Sequence, residues 1–237
     1  MYESLCLNVG DAIRFKSYGK EYALIIDLDE DPVNPRNDFS VTRMYCWHKK
    51  YILGDKHDYV NTDEMLAGLL KEQLYPGDVD ELNNSEMFKL LEPYAVIEPM
   101  WLYDHSGISM AYGSAPKYPY NDRWDAGQVG WIVVLREDLI HEGVVSKEDE
   151  NWKTVAKEYI ETEIKLYNDY LFGNVYSFCL FKKENGVWVE DDSRCGFYGD
   201  DIISNGIVDC IPGLYNAIIS HEFEFVNPKK IVTYSFD

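Results

Sequence analysis

Three groups of residues in this chain are of types that do chemistry. Asp104-His105-Ser106-Gly107 puts a carboxylate, an imidazole and a hydroxyl into one turn. Those are the groups of a hydrolytic triad, but a triad needs them to converge on one point, and neighbours in sequence generally point apart. No G-x-S-x-G surrounds Ser106, so a serine nucleophile has little support. A turn in which Asp104 and Ser106 bond the backbone fits the composition better, and an acid–base role for Asp104 and His105 is the functional alternative. His48 follows Trp47, His57 sits within Asp55-Lys56-His57-Asp58, and Asp125 opens the Asp-Ala-Gly-Gln run after Trp124. The catalytic candidates are therefore Asp104, His105, Asp125 and His48. They form a site only if the fold gathers them.

The second group is Asp27, Asp29 and Asp31, whose alternation can put carboxylates on one side of an extended segment, as a hard cation requires. A calcium loop needs Gly at its turn and a terminal Glu, and this chain has Pro32 and Asp38 there. A solvated acidic loop is the simpler expectation, and no metal site is assigned. The third group is the cysteines Cys6, Cys46, Cys179, Cys195 and Cys210, scattered without zinc-site or C-x-x-C spacing. They read as reduced thiols. No H-E-x-x-H, no P-loop and no G-x-G-x-x-G after a strand occurs, so no cofactor is expected.

Charge narrows the function classes further. The 237 residues carry 42 acidic against 22 basic side chains, a net charge of −20. That balance opposes direct binding to nucleic acid, which depends on cations neutralising phosphates. It opposes binding to anionic membranes for the same reason, and favours fast association with a basic partner. The densest acidic segments supply the binding candidates: Asp27, Asp29 and Asp31; Asp78, Asp80 and Glu81; Glu148, Asp149, Glu150, Glu158, Glu161 and Glu163; with Glu190–Asp192 a further acidic stretch. Nothing near Met1 reads as a signal peptide, and no apolar run suits a membrane span, which makes the cytoplasm the expected location.

The elements that must position these residues follow from periodicity. Strands are expected on either side of Gly19-Lys20, at 41–48, at Ala95–Tyr103 and Ile108–Tyr112 around the Asp104 turn, and at Gln128–Leu135. Gln128–Leu135 is apolar enough to be central in a sheet. Further strands are read at Val175–Phe181, Val187–Glu190 and Ile231–Phe236. Helices are expected from Thr62, from Ser85 to near Pro93, over 148–171 with Gly173 as the stop, and at Leu214–His221. In the long helix Trp152, Val155, Ala156, Tyr159, Ile160, Tyr167, Tyr170 and Leu171 recur at helical spacing and mark a core-facing stripe. Strands do not alternate regularly with helices. The expected fold class is therefore α+β, a mostly antiparallel sheet with a few packed helices, taken as a single domain over 1–237.

Six blocks occur in order: DPVNPRND from Asp31, CWHKKYILGD from Cys46, LYDHSGISM from Leu102, WDAGQVGWI from Trp124, YLFGNVYSF from Tyr170 and CGFYGD from Cys195. As a set they resemble an uncharacterised family of proteins encoded by bacteriophages and mobile elements. The resemblance spans residues 31–200. It implies a phage-type origin and a host-cytoplasm setting, and it transfers no catalytic residue. With the charge, it leads to an expected accessory protein that inhibits a basic, nucleic-acid-binding host protein, such as a CRISPR effector or restriction enzyme, by mimicking the charge of DNA. An enzyme acting on a small molecule or nucleotide through a His/Asp pocket is the alternative.

Overall fold

Local chemistry sets the element boundaries. The computed structural model describes residues 5–6, 9–37 and 40–231. Its strands are β1 (Ala12–Ser17), β2 (Lys20–Leu28), β3 (Arg43–Cys46), β4 (Ala95–Asp104), β5 (Ile108–Tyr112), β6 (Ala126–Leu135), β7 (Val175–Glu184), β8 (Val187–Tyr198) and β9 (Phe223–Val226). Its helices are α1 (Thr62–Glu72), α2 (Asn84–Leu91), α3 (Arg136–His141), α4 (Trp152–Phe172), α5 (Ile207–Cys210) and α6 (Leu214–Ile219). Asn61 caps α1, its side chain accepting from the Glu64 N–H. Asn83 and Glu86 close a reciprocal capping box on α2. Every strand pair in both sheets is antiparallel, so the class is α+β.

The chain gathers into two compact units, residues 34–171 and residues 1–33 with 172–237. The unit formed by 34–171 is built on a four-stranded sheet in the order β3-β6-β4-β5. Helices cover both of its faces. On one, Met65, Leu66, Leu69 and Leu70 of α1 and Met87 and Leu91 of α2 pack on Tyr45, Val133 and Leu135. On the other, Trp152, Ala156, Ile160, Ile164 and Tyr167 of α4 pack on Met44, Met100, Ile132 and Val134. Alternate residues of β6 thus enter opposite cores, and Ile132 to Leu135 are all fully buried, which is why this strand is apolar without a polar phase. Burying each such side chain contributes about 1.5–3 kcal/mol.

A β-bulge shapes one end of this sheet. Met100 pairs with Gly130 but Trp101 pairs with Gln128, leaving Val129 as the extra residue. Its carbonyl accepts the N–H of Trp47 at 2.8 Å and so fixes where the chain leaves β3. Gly130 is required for that approach, because a Cβ there would lie 1.9 Å from the Tyr45 carbonyl oxygen.

The other unit carries a five-stranded sheet in the order β8-β7-β2-β1-β9. Ile13, Phe15, Leu24, Ile26, Phe178 and Leu180 meet Ile207, Val208, Ile211, Leu214 and Ile218 of the α5–α6 region.

Some expectations shift. The single sheet is two. β8 runs through the CGFY segment to Tyr198, and α3, α5 and β9 occupy stretches read as connections. α3 and α5 are six and four residues long, too short for a helical period to show. α4 begins at Trp152, because Asp149 uses its carboxylate on the Asn151 N–H in the turn before it. The strand expected at 231–236 lies, apart from Ile231, outside the described residues, as does Asp38.

Candidate functional site

One end of the β3-β6-β4-β5 sheet brings together three polar blocks. The β4–β5 turn carries Asp104 and His105, the segment entering β6 carries Asp125, and the chain leaving β3 carries Trp47 to Tyr51. Asp104 N–H donates to the Asp125 carbonyl at 2.7 Å, tying the first two together. The Asp104 carboxylate accepts the Tyr51 hydroxyl at 3.0 Å and the Lys50 ammonium at 3.2 Å, tying in the third. Lys50 and then Tyr51 hold the Asp104 carboxyl below its usual range. His48 stacks on the Tyr51 ring, centroids 5.2 Å apart, and its Nδ1 accepts the Tyr51 N–H. Its Nε2 therefore carries the proton and is the donor.

His105 Nδ1 lies 2.9 Å from Asp125 Oδ2, and both side chains are open to solvent. Ser106 has a positive φ of 56° in the tight turn, and no hydrogen bond joins its hydroxyl to His105 among the described residues. The four catalytic candidates are thus brought to one end of the sheet, as a His–Asp pair, a carboxylate clamped by Lys50 and Tyr51, and His48 stacked on Tyr51.

Beside this turn lies a cleft of about 780 Å³ lined by residues of the 46–59 segment. Trp47 Nε1–H donates to the Tyr59 carbonyl at 2.8 Å. His57, bonded through Nε2 to the Cys46 carbonyl at 3.1 Å, packs edge-on to Trp47 and Tyr45. Burial, and after it the charge of Asp55, pushes the Cys46 thiol up to about 12.

The cleft rests on a buried ion cluster. The Arg36 guanidinium, only 2% exposed, donates to both oxygens of Asp55 at 2.8 Å, to Glu163 at 2.5 Å and to the Thr42 carbonyl at 2.7 Å. Asp55 also accepts the Met44 N–H, and Glu163 accepts the N–H groups of Val41 and Thr42 and the Thr42 hydroxyl. Burial opposes the charge on Arg36, but Asp55 and Glu163 outweigh it and raise its pKa. Gly54 donates to the Tyr167 hydroxyl at 3.0 Å with φ at 68°, and a Cβ there would sit 2.4 Å from the Met44 carbonyl oxygen.

No known protein family, curated protein or solved structure matches this chain.

Among the binding candidates, Glu163 needs correcting: it faces inward to Arg36 and is not part of an acidic surface. A run of helical acids does not show in sequence which one turns to the core. Asp29 is half-buried and used internally, its oxygens accepting the N–H groups of Asp31 and Gly196. Asp27 and Asp31 are exposed. Asp78 caps a short turn by accepting the Asp80 N–H, and Asp80 and Glu81 are exposed between α1 and α2. Glu158 and Glu161 project from α4, on the opposite side of the sheet from Asp78–Glu81. Glu148 and Glu150 are exposed just before α4, with Asp149 half-buried between them. Sequence reasoning missed Arg36, Lys50 and Tyr51. Each lies in a quoted block, but its role depends on partners 54 to 127 residues away for Lys50 and Arg36. No helix among the described residues is long and apolar enough to cross a membrane.

Proposed function

We propose that this is a phage-type accessory protein that acts in the host cytoplasm as a stoichiometric inhibitor of a basic nucleic-acid-handling or defence protein, a CRISPR effector or a restriction enzyme. Its carboxylates occupy the groove in which that partner binds phosphates. One observation carries the reading: among the described residues, none of the twelve acidic candidates apart from Glu163 is engaged in an ion pair. Uncompensated exposed charge projects a field and steers a basic surface into contact. Asp78–Glu81 and the α4 acids stand on opposite sides of a sheet, so a single groove engages one of them. The approach to α4 offers the larger set, Glu148, Glu150, Glu158 and Glu161.

The test is capture of partners from bacterial lysate at low and high salt. Exposed charges are screened over about 10 Å at 0.1 M salt, so a charge-mimicking contact weakens steeply above that. The quadruple change Glu148→Gln, Glu150→Gln, Glu158→Gln and Glu161→Gln is expected to abolish capture and leave the melting temperature unchanged. Capture that survives both high salt and this variant overturns the reading. The His105–Asp125 pair favours the alternative, a small-molecule or nucleotide enzyme. Turnover of nucleotides by the purified protein, lost in His105→Ala, would establish it.

A further inference from the structure

The cleft of the 46–59 segment runs against the character of the rest of the chain. In a protein of net charge −20, this stretch holds three lysines and two aspartates, and one of the aspartates, Asp55, is already neutralised by Arg36. Lys50 is held by Asp104. Lys49 and Lys56 are exposed, line the cleft, and form no ion pair among the described residues. The half-exposed rings of Trp47, Tyr51 and Tyr59 line the same cleft. His48 adds an Nε2–H donor.

We infer that this cleft is a binding site for an aromatic polyanion of the nucleoside di- or triphosphate class, with the base against the Trp47 and Tyr59 rings and the phosphates on Lys49 and Lys56. Its volume, about 780 Å³, falls within the range of roughly 300–1,000 Å³ that small-molecule sites occupy. Aromatic faces hold a base by stacking, with little demand on its identity. Two unpaired ammonium groups and an imidazole donor suit several phosphate oxygens better than one carboxylate. The walls are already in place. Trp47 is pinned by the Tyr59 and Val129 carbonyls, and the loop between Cys46 and Tyr59 is anchored from below through Asp55 and Gly54. A site fixed before binding does not have to be ordered by the ligand.

The test is titration of the purified protein with ATP, followed by calorimetry and by tryptophan fluorescence, with adenosine and tripolyphosphate as separate arms. ATP is expected to bind with a dissociation constant below about 1 mM and at least tenfold more tightly than either fragment. The double variant Lys49→Glu, Lys56→Glu is expected to weaken ATP at least tenfold with an unchanged melting curve, since both side chains are exposed and neither is paired among the described residues. Three results overturn the inference: no ATP binding by about 1 mM, tripolyphosphate as tight as ATP, or equal binding by the double variant. That variant adds negative charge and spares every carboxylate of the proposed inhibitory surface. Failure here is therefore distinguishable from failure of partner capture.

Discussion

Two pairings of a nitrogen base with a carboxylate in the same unit have nearly the same separation and opposite consequences. Arg36 meets Asp55 at 2.8 Å and His105 meets Asp125 at 2.9 Å. The Arg36 side chain is 2% exposed, whereas that of His105 is 61% exposed. In the first, the Arg36 side chain is closed off from water and every oxygen of Asp55 and Glu163 is matched by a guanidinium, amide or hydroxyl donor. Removing one member strands the others. In the second, water competes for both partners and screens the pair. A short distance between a nitrogen base and a carboxylate is thus no guide to its importance until burial is known.

The strongest way to break this comparison is Arg36→Met, which leaves Asp55 and Glu163 without their cation. It is expected to cost about 3–5 kcal/mol in chemical denaturation, where loss of an exposed pair would barely register. Gly130→Ala comes next, at about 3 kcal/mol or a failure to fold, because the new methyl meets the Tyr45 carbonyl where β3 approaches the bulge.

Cys46 sharpens the comparison by pH. Burial raises its pKa from 9.0 to about 12, so the folded state favours the neutral thiol. That contribution is complete below pH 9 and is lost as pH rises from 9 towards 12, since the unfolded chain ionises first. Burial raises Tyr45 and Tyr167 in the same direction. Alkaline unfolding is therefore expected to be steep, and alkylation at pH 8 is expected to label the exposed Cys195 while sparing Cys46 until denaturant is added. Equal labelling of the two would contradict the buried floor of the cleft. The smallest effect is expected for His105→Ala or Asp125→Asn, below about 1 kcal/mol and vanishing in high salt.

Much of the architecture was legible in the sequence because it follows local periodicity. The stripe from Trp152 to Leu171 and the unbroken apolar run of β6 announced a buried helix face and a central strand. The site was legible only in part. Asp104, His105 and Asp125 were singled out by type, and the pairing of β4 with β6 brings Asp125 to the turn that carries the other two. The partners that decide their roles are distant in sequence: Tyr51 lies 53 residues from Asp104, and Glu163 lies 127 residues from Arg36. The bulge at Val129 was equally hidden, since an extra residue in a strand leaves no compositional mark. Glu163 was misread because acidity alone does not distinguish an outward carboxylate from one that closes an ion cluster.

The order of elements along the chain also bears on how the molecule is made. β2 takes as its neighbour β7, which begins at Val175, and residues 34–171 lie between them as a continuous stretch. On the ribosome that stretch emerges whole and can complete its own sheet and both helical layers. β1 and β2, synthesised first, must wait as an unfinished hairpin for almost 150 further residues. Strands made before residues 34–171 are thereby secured after them, and nascent-chain force measurements should register two separate folding events in that order.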